Sequence, residues 1–88
     1  MATTVKQLLT QLGSGIESTP DVCGGDSCIA GTRIPVWILE RYRRLGMPEV
    51  EILANYPSLR AVDLVNAWSF VDTNADEIER QILENEEP

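Results

Sequence analysis

The stretch Cys28–Gly46, CIAGTRIPVWILERYRRLG, decides how this chain folds. Cys28-Ile29-Ala30 and Arg33-Ile34-Pro35 are two short extended pieces around the pair Gly31-Thr32, a pattern that predicts a small hairpin. Gly31 permits a positive φ at the turn, and Thr32 can hydrogen-bond its own turn. Pro35 has no N–H to give to a ladder, so it ends the strand and suits the first turn of a helix. From Val36 the apolar period becomes helical and stops at Gly46. Ile38, Tyr42 and Leu45 are expected to form the inward stripe, with Val36 and Leu39 alongside.

The same stretch holds four of the seven basic residues of an 88-residue chain whose net charge is −7. Arg33, Arg41, Arg43 and Arg44 outweigh Glu40, whereas Asp72–Pro88 carries seven acids against Arg80 alone. Charge is therefore polarised along the sequence. Trp37, Arg41 and Arg44 fall at i, i+4 and i+7 and share one helix face, opposite the expected apolar stripe. Three readings of this face are open. Glu40 pairs with Arg43 or Arg44 at i+3 and i+4 and the face is simply solvated. Alternatively, the arginines and Trp37 dock on protein, either a second copy or the acidic C-terminal helix. Finally, the guanidinium groups contact phosphates.

Outward from this stretch the elements follow by punctuation. Val5, Leu8, Leu9 and Leu12 predict a short helix over residues 4–12, stopped at Gly13. Residues 13–27 read as loop, with a brief strand at Ile16–Ser18. A second helix begins at Pro48, with Glu49 and Glu51 in its first turn, Val50, Leu53 and Ala54 facing inward, and Pro57 as its stop. A third runs from Arg60 to Val71 on a buried face of Ala61, Leu64, Val65, Trp68 and Val71. Its outward residues are then Arg60, Asp63, Asn66, Ser69 and Asp72. Asn74-Ala75-Asp76-Glu77 has the form of a capping box. It opens a last helix with Ile78, Ile82 and Leu83 apolar, followed by an acidic tail. Tyr56 and Trp68 are assigned to the core. The expected architecture is mainly α: a small helix-turn-helix-like three-helix bundle with a short N-terminal β-hairpin and flanking helices. It forms a single domain over 1–88, divided into an N-terminal helix and linker (1–15), a core (16–75) and an acidic helix and tail (76–88).

Composition narrows the function. The negative field argues against a general nucleic-acid coat or an anionic membrane as partner and suits a basic protein. The chain has no histidine, and with only two cysteines, Cys23 and Cys28, a zinc site would require two chains or acidic ligands. Gly24-Gly25-Asp26 reads as a turn rather than a phosphate cradle, and Asp72 with Asp76 as solvated carboxylates. No catalytic residue, metal or cofactor is expected, so the chain is not read as an enzyme. No run approaches the length of a membrane span, and MATTVKQLLTQLG lacks the apolar core of a signal peptide, so the expected location is cytoplasmic.

Residues 24–59, GGDSCIAGTRIPVWILERYRRLGMPEVEILANYPSL, closely resemble the bacterial domain-of-unknown-function family numbered 433. The signature is Gly31-Thr32-Arg33-Ile34-Pro35-Val36, then a helix ending in Gly46, then a short acidic helix closing at Tyr56-Pro57; the likeness extends over 16 to about 78. The resemblance implies a small helix-turn-helix-like bundle with a preceding β element. It also implies similarity to the antitoxins of VapBC-like pairs, whose members bind a ribonuclease toxin of the PIN fold and operator DNA. On that reading the chain is an antitoxin-like homodimer. Arg33, Trp37, Arg41, Arg43, Arg44, Arg60 and Asn66 serve DNA or docking, and Ile78, Ile82 and Leu83 anchor the partner. The alternative is a protein–protein interaction module with no nucleic-acid role. Two positions depart from the family: Arg60 stands where Ser or Thr would cap the third helix, which passes that role to Ser58, and Met47 stands before Pro48 where Ser or Thr is common.

Overall fold

The computed structural model describes residues 15–18 and 25–86. The helix expected over 4–12, Cys23 and the last two residues lie outside the described residues. Among the described residues the order is β1 (Ile16–Glu17), β2 (Cys28–Ile29), α1 (Val36–Arg44), α2 (Glu49–Asn55), α3 (Ala61–Thr73) and α4 (Ala75–Glu86). The fold is mainly helical, with a short two-stranded antiparallel sheet at its N-terminal side.

The expected turn at Gly31-Thr32 is present. Gly31 takes φ 79°, the Thr32 hydroxyl donates to Ile29 O at 2.8 Å, and Ile34 N–H donates back to that hydroxyl at 3.1 Å. The expected strand Arg33–Pro35 is reduced to one isolated bridge, Cys28 to Pro35. Proline cannot extend a ladder, so the ladder of β2 forms with β1 instead, pairing Ile16 with Ile29 and Glu17 with Cys28. Pro35 is the N-cap of α1, and Val36 N–H donates to Ser27 O at 3.0 Å. That bond ties the first turn of the helix to the strand.

The C-terminus of α1 is closed by a Schellman motif. Gly46 N–H reaches Arg43 O at 3.0 Å, Met47 N–H reaches Tyr42 O at 3.1 Å, and Gly46 takes φ 86°. A Cβ on Gly46 would meet nothing within 4 Å, so conformation alone demands glycine. Gly46→Ala is expected to destabilise by about 1 kcal/mol, and Gly46→Asn by less, because Asn tolerates the left-handed region. Thermal unfolding of the two variants checks the order.

Three of the expected faces are corrected. In α1, Val36 and Leu39 are fully buried while Leu45 is 74% exposed and Ile38 and Tyr42 are only half-buried. The helix packs against both α3 and α4, so the side between those neighbours goes inward. In α2, Ile52 is buried, Val50 is 80% exposed and Ala54 is exposed. In α3, Asp63, Leu64, Ala67 and Val71 are buried, Ala61 is exposed and Val65 is 63% exposed. Trp68 and Phe70 pack against the core from its edge. A short helix with apolar residues on two sides has no internal reason to choose one; its neighbours choose.

Two caps are also corrected. Arg60, not Ser58, is the N-cap of α3, and the helix starts at Ala61. A guanidinium has no acceptor, so Asp63 supplies the capping instead: its carboxylate accepts from Arg60 N–H at 2.7 Å and from Arg60 Nη2 at 3.2 Å. This is why Asp63, expected to point outward, is buried. The capping box at Asn74–Glu77 does not form. Asn74 Nδ2 donates to Phe70 O at 3.0 Å, which closes α3, and the Glu77 carboxylate accepts from Ser27 Oγ at 3.1 Å. The core draws on every element: Ile16 and Ile29 from the strands, Val36 and Leu39, Ile52, Leu59 from the link before α3, Leu64, Ala67 and Val71, and Ile78 and Ile82 from α4.

Candidate docking surface

Three of the four basic residues of the opening stretch, Arg41, Arg43 and Arg44, sit on α1, within reach of α3 and α4. Glu40 is the hub. Its side chain is 6% exposed, and its two oxygens accept from Arg43 Nε at 2.7 Å and Arg44 Nε at 2.9 Å. The i+3 and i+4 spacing makes both contacts available from one turn of helix. Arg44 extends its other arm to Glu79 of α4, 2.9 Å away, and Arg41 pairs with Glu86 at 3.7 Å. The bonds to Glu79 and then Glu40 raise the Arg44 pKa further above its ordinary value. Arg43 lies over the ring of Trp68, 4.7 Å from its centroid, in a cation–π contact. The indole N–H of Trp37 donates to Asp26 at 3.1 Å. Arg60 pairs with Asp63.

The expected island of charge is therefore divided and matched. Arg41, Arg43, Arg44 and Arg60 each hold a carboxylate of their own chain. Of the three readings of the face, the structure contains the Glu40 pairing and the contact with the acidic C-terminal helix. Arg33 is exposed and, among the described residues, has no ion-pair partner. Asn66 is half-buried and stands against β1, where its Nδ2 fills the place a Cβ on Gly15 would take. The expected partner anchors also separate: Ile78 and Ile82 belong to the core, and Leu83 alone stays half-exposed. Removing α4 would take core residues with it.

What the surface does offer is apolar. Trp37, Ile38, Arg41, Tyr42 and Leu45 line a shallow groove of about 320 Å³ on α1. Leu83 sits on the same side of α4 as Glu79 and Glu86, which reach across to α1. On α3 the exposed side carries Ala61, Val62 and Val65 ahead of Ser69 and Asp72, and exposed Val50 lies on α2 next to Glu49, which accepts from the Trp68 indole at 3.0 Å. The sequence reading missed the α3 face because Val65 was assigned to the core.

A second polar element lies under the groove. The Tyr56 hydroxyl donates to that of Tyr42 at 3.3 Å, with ring centroids 6.1 Å apart. Burial, then this hydrogen bond, pushes the Tyr56 phenol up from its ordinary value to about 12. The folded state holds that proton more tightly than the unfolded state, so the stabilisation is complete below about pH 10. It is expected to be lost as pH rises from about 10 to about 12, and Tyr56→Phe should flatten that part of the profile. Urea unfolding at a series of alkaline pH values checks it.

With this geometry in hand, comparison with known proteins is specific. The sequence model described as "Protein of unknown function (DUF433)" matches residues 16–71. The chain belongs to this family. It is also similar to a DUF433 member protein from Anabaena variabilis ATCC 29413, known from a crystal structure, at 42% identity and a TM-score of 0.78, over 93% of this chain and 87% of that one. Comparison with curated proteins gave no match. The match to the DUF433 family runs from β1 to within α3, so α4, the helix that neutralises Arg41 and Arg44, lies beyond it. Among the described residues no helix is long and apolar enough to cross a membrane.

Proposed function

We propose that this DUF433 chain is a protein-docking module, the antitoxin-like member of a two-gene pair that captures a ribonuclease partner through protein contact. One observation carries the reading: the outward face of α3, the helix that would enter a DNA groove, carries Ala61, Val62 and Val65 and no basic residue. Groove recognition needs free donors and phosphate-neutralising cations. The helix arginines are occupied by Glu40, Asp63, Glu79 and Glu86, and the net charge of −7 repels a duplex. Exposed apolar side chains flanked by acids instead suit a partner with an apolar patch and a basic rim. The resemblance supplies the class of that partner, a ribonuclease of the PIN fold.

The test pairs two measurements. The chain is co-expressed with the ribonuclease encoded beside it and assayed for a complex of fixed ratio and for loss of nuclease activity. The chain alone is mixed with its upstream DNA at low salt in a mobility-shift assay. A complex without a shift is the expected result, and Val65→Asp is expected to weaken that complex about tenfold or more while the fold stays intact. A shift by the chain alone, or no complex with the ribonuclease, would overturn the proposal.

A further inference from the structure

A cavity of about 490 Å³ opens between β1, the Gly25–Ser27 segment and α4. Glu17, Asp26 and Glu77 line it. None of the three has an ion-pair partner among the described residues, although all but one of the described arginines are matched. Gln81 joins two of the acids: its Nε2 donates to Asp26 at 3.3 Å and to Glu77 at 3.4 Å. With the nitrogen held there, the amide oxygen is fixed on the other arm. Gln81 is only 4% exposed, and that oxygen is the one buried side-chain polar atom without a hydrogen-bond partner among the described residues. Glu77 is bonded through Oε2 alone, to Ser27 and Gln81, which leaves Oε1 open.

A buried acceptor with no donor costs about 1–3 kcal/mol, and native structures carry few of them. The open positions on Glu77 and Gln81 are both acceptors. The missing component is a donor-rich cation. We propose that this cavity binds an alkylammonium or guanidinium group. Such a head presents several N–H donors and no acceptor, so it can serve Glu77 Oε1 and Gln81 Oε1 together while neutralising Asp26 and Glu77. Phe70 is also in the lining and puts an aromatic ring at the site. Arg80 stands at the wall but is engaged with Glu84 at 3.3 Å. The volume is that of a small-ligand site. Two sources share this chemistry: a free amine, or the exposed Arg33 of a second copy.

The probes are 1,4-diaminobutane and argininamide, with 1,4-butanediol as the neutral control. The Trp37 indole is bonded to Asp26, so its fluorescence reports occupancy. Saturable quenching or enhancement by both cations and none by the diol is the expected result. Glu77→Gln and Asp26→Asn are each expected to weaken binding about tenfold or more, and Glu51→Gln, outside the cavity, to leave it unchanged. Light scattering on the wild type and Arg33→Ala separates the sources. A dimer that Arg33→Ala dissolves, while the free cations still bind, assigns the second copy; a monomer that binds the cations assigns a free amine. No saturable response to either cation, or equal affinity in both folded carboxylate variants, would overturn the proposal. Neither result depends on the ribonuclease assay above.

Discussion

Leu39→Ala is expected to lower the free energy of unfolding by about 3 kcal/mol, the typical loss for a leucine truncated in a closed core. Leu39 is fully buried on α1, and α1 is the helix that packs against α2, α3 and α4. A cavity at that point faces several elements at once and cannot be closed by the shift of one. The consequence is large because the domain is small. At about 0.05–0.15 kcal/mol per residue, the loss is more than about a fifth of the total stability. Urea unfolding should show a lower midpoint at unchanged slope. Leu45→Ala, three-quarters exposed one and a half turns later, should change stability by less than about 0.5 kcal/mol. Similar losses for the two leucines would mean that the inward face of α1 is not the one described.

The pairing of Leu39 with Leu45 also shows what the sequence could and could not disclose. The limits of α1 and α2 are local chemistry: Pro35, Gly46, Pro48 and Pro57 fix where the chain can and cannot be helical, whatever surrounds it. Those limits were readable, as was the Gly31-Thr32 turn. Which side of each helix turns inward is not local. Leu45 and Val65 are as apolar as Leu39 and Ala67, and only the positions of neighbouring helices separate them. Asp63 and Glu40 mislead for a related reason. A carboxylate reads as surface until arginines three and four residues away make its burial affordable. The i+3 and i+4 pairs were within reach of the sequence. The Ser27–Glu77 and Asp26–Gln81 bonds span 50 and 55 residues, and no spacing rule announces them. The cavity they frame was invisible for that reason.

The second large effect is expected at Glu40. Glu40→Ala removes the acceptor that both Arg43 and Arg44 share, at a position with a 6% exposed side chain. Stripping one member from a fully buried ion pair costs about 3–5 kcal/mol because a charge is left stranded. Here the stranded groups are 45% and 42% exposed and keep other contacts, Arg43 with Trp68 and Arg44 with Glu79. Water can reach them, so the expected loss is smaller, about 2 kcal/mol. Arg43→Ala should cost about half of that, since Glu40 retains Arg44. Chemical unfolding of both variants tests the ranking, and an Arg43→Ala loss equal to that of Glu40→Ala would contradict a shared hub. The same substitution probes the charge argument. It changes the net charge by a single unit, yet it frees two guanidinium groups on one helix. If intrachain pairing is what silences the basic stretch, Glu40→Ala must elute from heparin at higher salt than the wild type, and Arg33→Ala must not. Identical elution of Glu40→Ala and the wild type would show that Glu40 does not mask those arginines.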